Sequence, residues 1–172
     1  GHGGFIQIDS TPGWGTQFRI FLPASPQGDA ADTVTARTPG PRGRGELLLL
    51  VDDERAVRDA TRTMLERNGY RVVEACDGVD GLERLAEHRD DVRVVVVDLL
   101  MPRLDGVGLI RRLHAQASEV AILATTGVAR SPKVEEVKFL RTVPILEKPF
   151  VAETMLAALA RLLRDTASTG TG

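Results

Sequence analysis

The alternation of apolar and polar positions divides the chain into three parts. From about Glu46 to Arg164, short apolar runs alternate with segments whose apolar residues recur at helical spacing. Leu47 to Val51 is an unbroken apolar run ending in acids, Val94 to Val97 is a second, and Val120 to Ala124 a third. Tyr70 to Ala75 is β-branched and strand-like, and Val143 to Leu146 is a short strand. Between them, Arg55 to Asn68 places Val57, Thr61, Met64 and Leu65 on one helical face before an Asn68–Gly69 stop. Asp77 to His88 carries Val79, Leu82, Leu85 and Ala86 at helical spacing, and Asp105 to Ala115 carries Val107, Ile110 and Leu113. Ser131–Pro132 has the form of a helix start. Val151 to Leu163 closes the block with Val151, Met155, Leu159, Leu162 and Leu163 on one stripe. Five strands alternating with five helices, the strands apolar on both faces, predict an α/β fold with a doubly wound parallel sheet covered by helices on both sides. In such sheets the working site lies at the carboxyl ends of the strands, beside the switch in strand order.

The rest of the chain is patterned differently. Residues 25–45, SPQGDAADTVTARTPGPRGRG, hold one aliphatic residue beyond alanine, Val34, and predict a flexible linker. In residues 1–24, Ile6 and Ile8, then Phe18, Ile20 and Leu22, alternate as in the two strands of a hairpin. Such a hairpin is marginal in water, and its apolar face predicts self-association through this segment or packing on a neighbouring surface. Residues 165–172 are polar and predict a disordered tail.

Composition narrows the possible functions. Of 172 residues, 42% are hydrophobic and 27% charged, the balance of a soluble globular chain. No apolar run approaches the roughly 20 residues of a membrane span, so no membrane contact is expected. A net charge of −2 argues against binding to nucleic acid. The single cysteine, Cys76, excludes an intramolecular disulfide framework and a cysteine-based zinc site, and reads as a small buried hydrophobe. The chain begins at Gly1 without a signal peptide, which predicts a piece of a longer protein in the cytoplasm. Only Lys133, Lys138 and Lys148 are lysines among 22 basic residues, so each lysine calls for a reason.

The chemistry gathers at strand ends. Asp52 and Asp53 follow the first strand of the large block, and Asp98 ends the third. In a sheet of order 2-1-3-4-5 these strands are neighbours, and three carboxylates then crowd one rim. Like charges that close repel unless something cancels them, and a hard divalent cation such as magnesium suits an all-oxygen set. Thr126 follows the fourth strand and Lys148 the fifth, adding a hydroxyl and an ammonium, the latter suited to a phosphoryl oxygen or a carboxylate. The constellation fits an aspartate that accepts a phosphoryl group. Thr125 competes with Thr126, which is favoured by its spacing to Lys148 and by Gly127. Asp105 reads as a helix start and Glu54 as a solvent or outer residue.

Four pieces in order, VDDE at 51–54, VDLLMPRLDG at 97–106, TG at 126–127 and KPF at 148–150, resemble the receiver domain of response regulators, the phosphoacceptor module of two-component signalling. The resemblance covers residues 46–164 and implies a flavodoxin-like sheet of order 2-1-3-4-5. It implies that Asp98 is the phosphoacceptor and that Asp53 ligates Mg2+, helped by Asp52, Asp98 and the backbone carbonyl of Leu100. Thr126 and Lys148 would hold phosphoryl oxygens, and Lys148–Pro149 would be a cis peptide. The chain departs from the family at Ile145, where an aromatic residue often reports phosphorylation, so readout by aromatic rotation is not implied. Leu100 is bulky where solvent access to the phosphoryl group is tuned, which points to slow hydrolysis.

Residues 1–24 resemble the last strands of a histidine-kinase ATP-binding domain through His2-Gly3-Gly4, Gly13-Trp14-Gly15-Thr16 and Leu22-Pro23. Placed before a linker and a receiver, they imply the C-terminal part of a hybrid histidine kinase. The phosphodonor would be a histidine kinase dimerisation domain and the acceptor a histidine phosphotransfer protein, because His2, His88 and His114 do not resemble donor histidines. The asparagine-bearing helix and lid segments of such kinases do not occur in this sequence, so it is not expected to bind ATP. Two alternatives remain in view: a stand-alone phosphorylation-switched binding module without onward phosphotransfer, and an aspartate-based phosphohydrolase. The Asp-x-Asp signature of the latter is missing at Asp98-Leu99-Leu100.

Overall fold

The computed structural model describes residues 5–11, 13, 15–21, 41–116, 120–128, 130, 132–139 and 143–169. The chain divides into two units, Gly1–Arg37 and Thr38–Gly172.

In the first unit, β1 (Phe5–Thr11) pairs antiparallel with β2 (Gly15–Phe21), with Ile6 opposite Ile20 and Ile8 opposite Phe18. Because side chains alternate along a strand, these four share one face. The other face carries Gln7, Asp9, Gln17 and Arg19, with an Arg19–Asp9 ion pair at 3.5 Å, and ends in the stacked rings of Phe5 and Phe21. The expected hairpin is thus present, one side apolar and the other polar.

The second unit is a five-stranded parallel sheet of order β4-β3-β5-β6-β7. Its strands are β3 (Leu47–Val51), β4 (Arg71–Ala75), β5 (Val92–Asp98), β6 (Ala121–Thr126) and β7 (Ile145–Glu147). The helices are α1 (Arg55–Arg67), α2 (Gly78–Glu87), α3 (Gly106–Ala115), α4 (Pro132–Phe139) and α5 (Ala152–Thr169). In chain order this is the expected flavodoxin-like arrangement 2-1-3-4-5. The unbroken apolar runs supply both faces of the sheet. Leu47, Leu49, Val51, Val95, Val97 and Ile122 pack with Leu85, Leu109, Ile110 and Leu113 of α2 and α3, and with Val134 and Val137 of α4. The alternate residues, Leu48, Leu50, Val94, Val96 and Leu123, pack with Leu65 of α1 and with Met155, Leu156 and Leu159 of α5.

Four expectations are corrected. The linker was expected to run to residue 45, but residues 41–45 are docked. Gly43 N–H donates to the Asn68 carbonyl at 2.9 Å and Gly45 N–H to the Gly69 carbonyl at 2.8 Å. A Cβ on Gly43 would come within 2.6 Å of the Tyr70 ring, so glycine is what lets the backbone lie there. Residues 25–40 of the linker lie outside the described residues. The tail was expected from residue 165, but α5 continues to Thr169, with Thr166 Oγ1 donating to the Leu162 carbonyl at 3.2 Å. No glycine or proline occurs between Pro149 and Gly170. Cys76 is exposed in the turn between β4, which ends at Ala75, and α2. The last strand forms over Ile145–Glu147, later than expected, with Val143 buried before it and the Pro144 carbonyl accepting from Ala124 N–H. Among the described residues no helix is long and apolar enough to cross a membrane.

The loop from β5 to α3 is strapped to α2. Asp77, the buried N-cap of α2, accepts from Val79 N–H at 2.8 Å and Asp80 N–H at 3.1 Å. Its other oxygen accepts from Arg103 Nη1 at 2.6 Å, and Gly78 N–H donates to the Leu104 carbonyl at 3.0 Å. Arg103 adopts a left-handed φ of 62° to make this contact. Burial pushes the Asp77 carboxyl up, but the two amides and the Arg103 guanidinium outweigh it and hold the carboxyl below its usual range. A group whose folded value is lowered contributes stability above its unfolded value, and the contribution is lost as pH falls through the folded value. Asp77→Asn should therefore cost about 1–2 kcal/mol at neutral pH. That difference should hold down to about pH 4 and shrink below it. Urea unfolding of both proteins across this range checks it; a difference that stays constant into strong acid would refute the role of the charge.

Candidate functional site

Neighbouring parallel strands bring the predicted residues to one rim. β3 ends at Val51, so Asp52 and Asp53 open the loop above it, and Asp98 is the last residue of β5 beside it, with Val51 paired to Val97. Thr126 ends β6 and Lys148 follows β7, linked by a 2.7 Å bond from Lys148 N–H to the Thr126 carbonyl. The Lys148–Pro149 peptide is cis. Gly106, first residue of α3, permits the tightest approach: a Cβ there would lie 2.8 Å from Leu99 Cα and closer still to the Asp98 carbonyl oxygen.

Asp52 and Asp98 are both buried, 3% and 8% exposed, and buried carboxylates require partners. Lys148 Nζ donates to Asp52 Oδ2 at 2.7 Å and to Asp98 Oδ2 at 2.6 Å. The remaining oxygens accept backbone amides, Asp52 Oδ1 from Glu54 at 2.9 Å and Asp98 Oδ1 from Leu100 at 3.0 Å. Burial pushes the Lys148 ammonium down, but its bonds to the two carboxylates and their charges outweigh this and raise it above the usual lysine value. Lys148 is therefore a fixed positive charge at neutral pH. Asp53 is exposed, and one oxygen from each of Asp52, Asp53 and Asp98 lies within 4.8 Å of the others. Three carboxylates against one ammonium leave net negative charge. An all-oxygen, anionic set with one member turned to solvent fits a hard divalent cation.

The other candidates separate. Thr126 is fully buried; its Oγ1 accepts from Val128 N–H at 3.2 Å and donates to the Val128 carbonyl at 3.3 Å. Thr125 instead reaches the Val97 carbonyl at 3.5 Å, tying β6 to β5. Leu100 meets the site through its amide, whereas the sequence pointed only to its carbonyl. Asp105 lies outside the cluster. It caps α3 through Gly108 N–H at 2.8 Å and pairs with Lys133 at 2.8 Å, which gives that lysine its reason. Glu54 is exposed at the N-cap of α1, His88 caps the C-terminus of α2, and His114 lies in the last turn of α3. The sequence placed the Lys148 ammonium among the three acids with a carboxylate as one possible partner, and the structure shows that Asp52 and Asp98 are both that partner.

Residues 48–160 match the family described as the response regulator receiver domain. Among curated proteins, the response regulator MprA of Mycobacterium sp. (strain KMS) is 43% identical over 121 residues, covering 69% of this chain and 51% of that protein. The chain thus spans about half the length of the curated relatives it matches. Among solved structures, the Vibrio cholerae chemotaxis protein CheY4 is 30% identical with a TM-score of 0.63, over 69% of this chain and 99% of that one. The receiver domain from the hybrid histidine kinase CckA is 26% identical with a TM-score of 0.57, over 68% and 98%.

The charge imbalance has opposite consequences on its two sides. In the absence of divalent ions, Asp53→Asn should stabilise the fold by about 1 kcal/mol, because it removes a like charge beside two others. Lys148→Met should destabilise it by about 3–5 kcal/mol, because two buried carboxylates lose their shared cation. Urea unfolding in EDTA checks both signs; a stabilising Lys148→Met would overturn the electrostatic account.

Proposed function

The chain belongs to the response regulator receiver domain family, and from that premise we propose that Asp98 accepts a phosphoryl group from a phosphohistidine, as the receiver of a hybrid histidine kinase. The observation that carries this reading is the Asp98 carboxylate at the rim of the sheet, held at both oxygens by the Leu100 amide and Lys148, with Asp52 and Asp53 beside it.

In the proposed reaction an Asp98 oxygen bonds to phosphorus as the phosphorus–nitrogen bond of the donor imidazole breaks. The bonding pair stays on the imidazole nitrogen, and an acyl phosphate remains on Asp98. Asp53, Asp52, Asp98 and the Leu100 carbonyl would hold Mg2+, which when bound supplies positive charge against the carboxylates and the phosphoryl oxygens. Lys148 has three N–H donors and uses two on Asp52 and Asp98, which leaves one for a phosphoryl oxygen. The Thr126 hydroxyl is folded onto Val128. To meet a phosphoryl oxygen it gives up the Val128 carbonyl, so the loop after β6 registers the modification. No aromatic residue stands at Ile145 to add to this movement.

The hybrid-kinase reading draws support from the amphipathic hairpin ahead of the receiver and from its motif resemblance to a kinase ATP-binding domain. In that reading the donor is a histidine kinase dimerisation domain, the acceptor a histidine phosphotransfer protein, and the compartment the cytoplasm. A second reading is a stand-alone phosphorylation-switched binding module without onward phosphotransfer, and the naming of the curated relatives as response regulators is consistent with it.

Incubated with a small-molecule phosphodonor and Mg2+, the chain should gain one phosphoryl group, acid-stable and base-labile, and Asp98→Asn should gain none. Intact-mass measurement checks this, and full incorporation in the Asp98→Asn protein would sink the proposal. Loss of the group to an added histidine phosphotransfer protein would favour the hybrid-kinase reading over the switch.

A further inference from the structure

Asp52 is fixed at four points, one of them the bond from its own N–H to the Ala75 carbonyl at 3.2 Å. Besides the two carboxylate contacts, its backbone carbonyl accepts from Arg58 Nη1 at 2.5 Å. Arg58 lies one turn into α1, and its side chain is only 15% exposed. The same guanidinium turns Nε to Glu74 Oε1 of β4 at 3.4 Å, and the other Glu74 oxygen pairs with Arg62 Nε at 3.0 Å.

We propose that Arg58 is a positioning residue that aims the Asp53 carboxylate. The inference rests on the reading of the site as a Mg2+-assisted phosphoacceptor. The Asp52 carbonyl and the Asp53 N–H belong to one planar peptide unit, so holding the oxygen holds the plane from which Asp53 departs. Asp53 needs this support because it is exposed at the mouth of the cluster, whereas Asp52 and Asp98 are buried and anchored through Lys148. Glu74 in turn fixes the guanidinium fork. A lysine offers a compact head without the rigid fork and does not reproduce both contacts at once.

Two roles for Arg58 predict opposite signs. If it merely added positive charge near the acids, its removal would tighten Mg2+ binding. If it positions Asp53, its removal weakens Mg2+ binding although the site becomes more negative. NMR titration of the full chain with Mg2+ should show about a tenfold rise in dissociation constant for Arg58→Met. Arg58→Lys and Glu74→Gln should show smaller rises. Arg62→Ala, which loses its ion pair to Glu74 but touches no part of Asp52, should bind like the original. The Asp53 amide resonance of the metal-free protein should move in Arg58→Met and Arg58→Lys and stay in place in Arg62→Ala. Unchanged or tighter binding in the Arg58 variants overturns the inference. Should Arg58→Met not fold, Arg58→Lys and Glu74→Gln carry the test with the same signs. If the original chain binds no Mg2+, the underlying reading falls and this inference with it. If it binds Mg2+ but forms no acyl phosphate, only the phosphoacceptor reading falls.

Discussion

The site depends on one ammonium. Lys148 lies between two buried carboxylates and donates to both, and a buried charge left without a partner is costly. Strand order places Asp52 and Asp98 side by side, and the short β7 delivers Lys148 opposite them. Two backbone amides take the carboxylate oxygens that Lys148 does not. What remains is an excess of two negative charges, three carboxylates against one ammonium. A fully neutralised rim would have no use for a cation and no means of gathering one.

The fold was legible because its strands are unambiguous. A parallel strand buried on both faces shows as a continuous apolar run, and Leu47–Val51 and Val92–Asp98 do so almost without interruption. Asp52, Asp53 and Asp98 were legible for a related reason: acids placed directly after such runs stand out. The chemistry of Asp105 and Asp77 was only partly visible. Both are helix caps, but nothing in the sequence shows that Asp77 also receives Arg103 from a loop that comes 26 residues later. The docking of residues 41–45 was hidden because it depends on backbone donors and on a glycine fitting beneath a tyrosine ring, which composition reads as flexibility. Arg58 was hidden for the same reason. Its partner is a main-chain oxygen, and side-chain patterns carry no signal for that.

The hairpin and the receiver are patterned by different rules. In the receiver, apolar residues run unbroken because helices cover both sheet faces. In the hairpin they alternate, with Ile6, Ile8, Phe18 and Ile20 on one side and Gln7, Asp9, Gln17 and Arg19 beside the Phe5–Phe21 pair on the other. Two strands alone have one face to hide and one to keep wet, which is how an antiparallel sheet edge is built and not how a parallel core is built. The two units therefore come from different kinds of sheet, a distinction visible in the period of the pattern alone.

The order in which the rim is assembled follows from its sequence separations. Asp52 is 96 residues from Lys148, and Asp98 is 50. As a chain is synthesised from its N-terminus, all the acids emerge before the lysine that neutralises them. The first half of the receiver thus holds Asp52, Asp53 and Asp98 without the ammonium that pairs with two of them, and contacts that distant in sequence carry a large loop-closure cost. Addition of β7 then brings the rim its one ammonium and offsets part of that charge. A nascent chain arrested before residue 148 would hold a nearly complete sheet around an electrostatic fault.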